Sequence, residues 1–277
     1  MQQQGVECDF TGSDSWVILS PIEQSIKRKI EAVGVPLKDW DIQINYGIKT
    51  GYNDAFIIST EKRNEILANC KDADERKRTE ELIRPILRGR DIKRYGYEWA
   101  NLYLIATFPS RHYNIEEYPA VKRYLLSFGK ERLEQTGKTY TINGEKIKAR
   151  KKTNNKWFET QDSISYWEDF FKPKLFYADI TQQLNFCICK DVMFCNNTTY
   201  FIASENELLL DYIQKYLNSP LIDWYYRTLS VQLGEKAVRM FSMYVLEIPI
   251  PPISKSDIYK SYGLSPSEVS FIENREG

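Results

Sequence analysis

Residues 83–95 read I-R-P-I-L-R-G-R-D-I-K-R-Y, and this stretch carries the strongest single indication of the fold. The residues near 73–83 predict a charged helix, which Pro85 must end because proline lacks a backbone N–H and restricts the residue before it. Gly89 interrupts the chain again, and five basic residues stand in 84–94 against the single acid Asp91. We therefore predict that a helix ends here and that a basic loop, broken by glycine, follows it.

Hydrophobic periodicity predicts helices and strands on both sides of this stretch. Ser20-Pro21-Ile22-Glu23 is a capping box followed by isoleucines at helical spacing, which predicts a helix that ends at Gly34. Asn143-Gly144 stands between two alternating arms, which is a strong signal for a β-hairpin. Further strands are predicted at 42–46, 55–58, 102–108, 174–178, 186–190 and 199–203, and further helices at 60–69, 73–83, 116–134, 205–217 and 220–229. The pattern predicts an α+β fold with mixed, mainly antiparallel sheets and flanking helices.

The composition excludes several classes of protein. The chain has 277 residues with a hydrophobic fraction of 42%, which is too high for a wholly disordered protein. No window approaches the roughly 18 consecutive apolar residues of a membrane span, and the first residues lack the pattern of a secretory signal. Five cysteines spread over this length argue against a secreted disulfide framework. We expect a cytoplasmic protein without a membrane partner.

The zero net charge, 38 Lys and Arg against 38 Asp and Glu, conceals an uneven distribution. Residues 84–156 carry a net charge of +10, concentrated in the runs 84–94 and 138–156, and the two flanks together carry −10. Basic side chains can neutralise phosphates, arginine can bind guanine edges, and a two-stranded ribbon fits the major groove of DNA. The pattern favours a localised nucleic-acid contact, while the alternative for each run is a solvated charged face.

The motifs of common enzymes are missing from the sequence. It contains no P-loop, no G-x-G-x-x-G, no G-x-S-x-G, no H-E-x-x-H and no Asn/Asp-Pro-Pro-Tyr/Phe tetrapeptide of amino-methyltransferases. Asp179 with the Lys172 and Lys174 pair comes nearest to a nuclease site, but the order is wrong and no second carboxylate stands at a suitable spacing. We predict no catalytic residues in this chain.

The residues that could bind a metal are also unfavourably spaced. Cys187, Cys189 and Cys195 follow the pattern C-x-C-x5-C, which lacks the paired C-x2-C spacing of a zinc site. Cys187 and Cys189 instead indicate a strand with both sulfurs on one face. His112 is the single histidine, and we interpret it as a surface or loop residue. We predict no metal site.

Five blocks of the sequence, in order, resemble a known family. They are Y-G-I-K-T-G-Y-N-D-A-F-I-I (46–58), I-R-P-I-L-R-G-R-D-I-K-R-Y (83–95), K-P-K-L-F-Y-A-D-I (172–180), F-C-N-N-T-T-Y-F-I (194–202) and V-L-E-I-P-I-P (245–251). Together they resemble the TaqI-like C-terminal specificity domain. That domain occurs in type II restriction-modification enzymes that fuse endonuclease and adenine-N6 methyltransferase activities, and in related stand-alone adenine methyltransferases.

The resemblance implies that catalysis lies outside this chain. In the family, the domain reads the DNA sequence, while a catalytic domain that binds S-adenosylmethionine flips out and methylates the target adenine. We therefore expect a fragment that recognises double-stranded DNA without a cofactor of its own, beside a methyltransferase catalytic domain in cis or in trans. The parent protein would be a site-specific adenine-N6 DNA methyltransferase with or without a fused endonuclease. The alternatives are a stand-alone specificity subunit and a protein-interaction module that docks a separate catalytic subunit.

The resemblance also suggests domain boundaries and a DNA-binding set. Residues 1–40 would form an N-terminal helical connector, 41–252 the specificity domain and 253–277 a polar C-terminal tail. In the loop after 46, Gly47 and Gly51 would allow close backbone approach to DNA, or only an ordinary turn. Asn196 and Asn197 could read adenine edges, although a structural role between two strands is favoured. The residues predicted to contact DNA are Lys49, Tyr52, Asn53, Arg88, Arg90, Lys93, Arg94, Lys146, Lys148, Arg150, Lys151 and Lys152.

Overall fold

The computed structural model describes residues 19–230, 232–234, 236–253 and 257–275. The helices are α1 (Pro21–Val33), α2 (Asn53–Phe56), α3 (Thr60–Ala68), α4 (Ala73–Leu82), α5 (Pro119–Leu126), α6 (Lys130–Leu133), α7 (Glu207–Leu217), α8 (Pro220–Leu229), α9 (Ser242–Val245), α10 (Ile258–Ser261) and α11 (Pro266–Glu273). Short 3-10 turns occupy Leu37–Asp39, Gly89–Asp91, Pro109–Arg111, Ile115–Glu117 and Trp167–Phe171.

The strands are short and form several small sheets. They are β1 (Val35–Pro36), β2 (Gln43–Tyr46), β3 (Ile57–Ser59), β4 (Ile83–Leu87), β5 (Ile92–Lys93), β6 (Gly96–Tyr97), β7 (Leu102–Ile105), β8 (Thr139–Ile142), β9 (Glu145–Lys148), β10 (Lys174–Ala178), β11 (Ile180–Thr181), β12 (Cys187–Cys189), β13 (Phe194–Cys195), β14 (Thr199–Ala203), β15 (Gln232–Leu233), β16 (Ala237–Arg239) and β17 (Pro249–Ile250). Among these named strands, only β13 and β4 pair in parallel. The predicted mixed, mainly antiparallel α+β fold is confirmed.

A central sheet, in the order β12-β10-β14-β2, lies between two hydrophobic cores. Side chains alternate between the two faces of a strand. Phe176 of β10 and Phe201 of β14 therefore face the first core, while Leu175, Tyr177 and Ile202 face the second. Both faces of these two strands are buried, which explains why their sequences are almost continuously apolar.

The first core is built on the sheet β13-β4-β7-β3 and the helices packed against it. Glu75 of α4 is a fully buried carboxylate in this half of the molecule. Its two oxygens accept hydrogen bonds from the backbone N–H groups of Lys71 and Ala120, each at 2.8 Å. Because Ala120 lies in the first turn of α5, the side chain of Glu75 caps that helix and joins it to α4.

The second core is helical and includes residues near both ends of the described chain. Glu268 of α11 accepts a hydrogen bond from Lys29 of α1 at 2.7 Å and another from Ser25 at 2.7 Å. Burial would raise the pKa of Glu268, but the hydrogen bonds from Lys29, Ser265 and Ser25 outweigh it and lower the pKa to about 2. This ionised carboxylate ties the first described helix to the last.

The described parts of the predicted connector and tail pack into the second core. Residues 1–18 of the predicted connector, 1–40, lie outside the described residues, but α1 packs Ile26 and Ile30 into the second core. The described part of the predicted polar tail, 257–275, contains α10 and α11 and buries Tyr262 and Ile272 in the same core. These segments are therefore packed into the second core.

Most predicted elements are confirmed, and the clearest departure is at 116–134. Gly129 has a φ of +84°, which divides the predicted helix into α5 and α6. Asn143 and Gly144 both have positive φ, at +51° and +85°, as the predicted two-residue hairpin turn requires. The predicted Cys187–Cys189 strand is also confirmed, with both cysteines buried.

Candidate nucleic-acid interface

Three of the five sequence blocks, 46–58, 83–95 and 194–202, meet where short parallel segments end. β4 and β13 run parallel, and Ile48 forms a parallel bridge with Asn196. The Asn196 N–H donates to the Leu87 carbonyl at 2.9 Å, and the Asn197 N–H donates to the Ile48 carbonyl at 3.0 Å. Parallel segments paired in this way end at one edge, so the residues that follow them lie side by side. We call this surface the junction edge; it comprises residues 49–50, 88–90 and 197–198.

Two glycines allow these segments to approach so closely. A Cβ atom added to Gly47 would lie 1.8 Å from the Asn196 carbonyl oxygen, and one added to Gly89 would lie 2.5 Å from the Thr198 carbonyl oxygen. The Gly89 N–H also donates to Thr198 Oγ1 at 2.8 Å, and that hydroxyl donates to Asn196 Oδ1 at 2.7 Å. The close approach at Gly47 is therefore to another segment of this chain. Asn196 is buried and structural, whereas Asn197 is exposed.

Arg88 is held at the junction edge by Asp91. Its Nε and Nη2 atoms donate to the two carboxylate oxygens at 3.0 and 2.7 Å, and its backbone N–H donates to Oδ2 at 2.8 Å. The hydrogen bond that Arg88 donates to Asp91 is the main reason that the pKa of Arg88 is raised. Arg88, predicted to contact DNA, therefore fixes the basic turn, while the neighbouring Arg90 remains exposed.

The next two basic residues also have partners within the chain. Lys93 lies 3.5 Å from a Glu98 carboxylate oxygen, and both side chains are largely exposed. Arg94 donates a hydrogen bond to the Asn218 carbonyl, between α7 and α8. These contacts reduce the freedom of Lys93 and Arg94 to bind phosphate.

Tyr52 and Asn53, in the loop after the junction edge, are likewise engaged. The Tyr52 ring packs edge-on against Phe128, with centroids 5.9 Å apart. The Asn53 side-chain carbonyl accepts a hydrogen bond from Thr50 Oγ1 at 2.7 Å. Both contacts shape the loop from within, although Asn53 itself is exposed.

Arg150 lies inside the protein, not on the DNA-facing surface predicted for it. It is 4% exposed. Its guanidinium donates to backbone carbonyls at 2.7 to 2.8 Å, and these acceptors belong to Thr50, Leu133, Trp157 and Glu159. Burial lowers the pKa of Arg150 to about 10, which still leaves the group charged at neutral pH. Arg150 is thus a structural residue that binds the 46–53 loop to the root of the β8–β9 hairpin.

The hairpin and the residues beside its root form a second cationic surface. We call it the hairpin surface; it comprises Lys146, Lys148, Lys151 and Lys152, all exposed. Arg150, the neighbour of Lys151, donates a hydrogen bond to the backbone carbonyl of Thr50, the neighbour of Lys49, at 2.8 Å. This hydrogen bond places the junction edge and the hairpin surface next to each other.

Few carboxylates neutralise these two surfaces. Within the described ranges, no ion pair involves Lys49, Arg90 or the four lysines of the hairpin surface. The same part of the chain holds no group of three His, Cys, Asp or Glu side chains arranged for a metal ion. None of its helices combines the length and the apolar composition needed to cross a bilayer. The arrangement can attract a polyanion at the junction edge and the hairpin surface.

The sequence also shows the family to which the chain belongs. The chain belongs to the family of the TaqI-like C-terminal specificity domain, which it matches over residues 84–250. None of the curated proteins matches it.

Two solved structures of restriction-modification enzymes are similar to the chain. The type IIG restriction endonuclease BpuSI aligns over 92% of this chain and 28% of its own, with a TM-score of 0.53 and 11% sequence identity. The type IIL restriction-modification enzyme MmeI, in complex with DNA, aligns over 76% of this chain and 25% of its own, with a TM-score of 0.47 and 15% identity. At this level of identity, the similarity to BpuSI shows a shared fold. The chain spans about a quarter of the length of either protein.

Proposed function

We propose that this chain is the DNA target-recognition module of a type II restriction-modification enzyme or an adenine-N6 DNA methyltransferase. The observation that carries the proposal is the meeting of the junction edge and the hairpin surface on a chain of the specificity-domain family. Six cations without a carboxylate partner in the described ranges form the proposed phosphate-binding set: Lys49, Arg90, Lys146, Lys148, Lys151 and Lys152.

The rigid attachment of these cations favours recognition over loose electrostatic binding. Arg150 fixes the hairpin to the 46–53 loop, and Asp91 fixes the turn that carries Arg90. Contacts to phosphates set the register of a protein on DNA, and side chains placed between them can then reach base edges. Asn197, exposed at the junction edge, is a suitable donor and acceptor for such an edge.

Catalysis is proposed to lie in a separate methyltransferase domain that binds S-adenosylmethionine. Support comes from the type IIG restriction endonuclease BpuSI, of which this chain spans 28%. The chain would then present the duplex to that domain, in cis or in trans, and the catalytic domain would flip out the target adenine.

A salt series tests the proposed DNA contact. We expect the chain to bind mixed-sequence duplexes with a logarithmic salt slope of at most about 5, since each neutralised phosphate contributes about 0.9 and six cations are free to do so. The variant K146Q/K148Q/K151Q/K152Q should lower that slope by about 3 to 4 and weaken binding at low salt. Fluorescence anisotropy with labelled duplexes measures both quantities.

The matched control removes two exposed lysines from other elements, Lys77 on α4 and Lys260 on α10. K77Q/K260Q should bind DNA like the unchanged protein. If the chain shows no binding at low salt, or if the control variant loses as much affinity as the hairpin variant, the proposed surface is wrong.

A further inference from the structure

A cavity of about 160 Å³ lies away from the proposed DNA-binding surfaces. Arg84, the second residue of β4, lines it, whereas Arg88 follows the last residue of the same strand. Four residues of extended strand span roughly 13 Å, so the cavity and the junction edge lie towards opposite ends of β4. Apolar side chains of the first core, including Phe108 and Phe194, form part of the cavity wall.

Three arginines and a single acid line the cavity. The arginines are Arg78, Arg84 and Arg111, and the acid is Glu81. The site therefore holds a residual charge of about +2 at neutral pH, because arginine stays protonated and glutamate ionised there. A pocket of this size with an excess of guanidinium groups is suited to an anion with a charge of similar magnitude.

Aromatic rings hold two of these guanidinium groups in place. The Arg111 guanidinium carbon lies 3.8 Å from the centroid of the Trp167 ring, and that of Arg84 lies 5.4 Å from the centroid of Phe171. A ring covers only the face of a guanidinium, so the N–H groups at its edge remain available to acceptors. Stacking of this kind orients the N–H groups before any ligand arrives.

The hydrogen-bonding capacity of the arginines is not used up within the described chain. Arg78 Nη2 donates to the Glu117 carbonyl at 3.3 Å, but its Nε is buried without a partner among the described residues. In the same ranges, no ion pair involves Arg84 or Arg111. Burial lowers the pKa of Arg84, which reflects the partial loss of water around its charge. Buried donors without acceptors are rare in folded proteins, so the Arg78 Nε is available to an acceptor that enters the site.

We propose that this cavity binds a phosphate monoester through Arg84 and Arg111, with Arg78 as a third donor. A phosphate monoester carries about −1.5 to −2 at neutral pH, which matches the residual charge, whereas a phosphodiester or a carboxylate carries only −1. Planar guanidinium groups bind the oxygens of phosphate in bidentate fashion. The monoester could come from a free nucleotide or from the 5′-phosphate of a DNA strand, and this inference does not depend on the proposed target-recognition function.

Isothermal titration calorimetry tests the site with inorganic phosphate, adenosine 5′-monophosphate and adenosine. We expect saturable binding of the two phosphate compounds and none of adenosine. R111M and R84M should each weaken that binding about tenfold or more, because each removes a charge-assisted contact. R28M, on α1, is the matched control and should bind like the unchanged protein, since Arg28 is exposed and lies outside both proposed sites. Arg111 is exposed, so R111M decides the question if R84M does not fold.

Two DNA hairpins that differ only in a 5′-phosphate or a 5′-hydroxyl distinguish the two sources. Tighter binding of the phosphorylated hairpin, lost in R111M, supports a DNA end. Equal binding of the two hairpins, together with saturable binding of adenosine 5′-monophosphate, supports a free nucleotide. The proposal is overturned if no phosphate compound binds saturably, or if R111M binds them as the unchanged protein does. Whichever result is obtained, the binding of unphosphorylated duplexes tests the proposed DNA contact of the junction edge and the hairpin surface separately.

Discussion

Replacing Arg150 by methionine should destabilise the protein strongly, although sequence alone places this residue in a surface run of basic side chains. Methionine keeps much of the length of the side chain but donates no hydrogen bond. The substitution leaves four backbone carbonyls without their guanidinium donor, at Thr50, Leu133, Trp157 and Glu159. These carbonyls come from three separate segments, so the loss weakens the contact between the 46–53 loop and the hairpin.

The magnitude follows from the contacts. Hydrogen bonds to a charged group contribute about 1.5–3 kcal/mol each, so four of them represent roughly 6–12 kcal/mol before the cost of burying the charge. That cost is several kcal/mol for an ion removed from water, and burial of Arg150 is what lowers its pKa to about 10. We therefore expect R150M to lower the free energy of unfolding by about 3–5 kcal/mol. R150K keeps the charge but lacks the planar fork, and should lose about 2 kcal/mol.

Equilibrium unfolding in urea, followed by tryptophan fluorescence, measures these differences. K151M is the matched control, since Lys151 is the exposed neighbour of Arg150 and should change the free energy of unfolding by less than about 0.5 kcal/mol. If R150M lowers the free energy of unfolding by less than about 1 kcal/mol and leaves the m value in urea unchanged, the structural role that the hydrogen bonds assign to Arg150 is refuted.

Three further substitutions test other contacts. G47A should destabilise the protein by more than about 3 kcal/mol in urea unfolding, because its Cβ would lie 1.8 Å from the Asn196 carbonyl oxygen, whereas G96A meets nothing within 4 Å and serves as its control. E75A should cost about 2–4 kcal/mol by the same measurement, since the N–H groups of Lys71 and Ala120 lose the buried carboxylate that accepts their hydrogen bonds. The pKa of Glu268 falls from 4.5 to about 2 on folding, so its contribution of about 3 kcal/mol is present above pH 4.5 and is lost as the pH falls towards 2. The free energy of unfolding of E268Q, measured as the pH is lowered, should lack that loss.

Local signals in the sequence predict the elements that depend on local chemistry. The Asn143-Gly144 turn and the capping box at Ser20 are confirmed because a few adjacent residues determine each of them. The strands near 174–178 and 199–203 are confirmed because alternation and burial on both faces leave a clear apolar pattern. The prediction of one helix over 116–134 is wrong at Gly129. The apolar residues on either side keep helical spacing, but the positive φ of the glycine ends one helix before the next begins.

The candidate site depends on contacts that no local pattern reveals. The junction edge forms because Asn196 lies between Ile48 and Leu87, and these residues are far apart in the chain. The blocks that supply all three were recognised through the family resemblance. No local pattern marks Thr198, although its hydroxyl joins Gly89 to Asn196.

The arginines of this chain show why a count of charge cannot assign function. Arg88 has an acid three residues away, a spacing visible in sequence, and the structure pairs them. Arg150 stands in a run of lysines, yet its acceptors are backbone carbonyls from distant segments, which carry no signature in the sequence. Arg111 stacks on Trp167, again from a distant segment. A positive charge therefore marks a DNA-facing residue only after the carbonyls and rings around it are known. The six cations that remain exposed and unpaired in the described ranges form a smaller set than the sequence predicts, but they lie on adjoining surfaces where one duplex could contact them together.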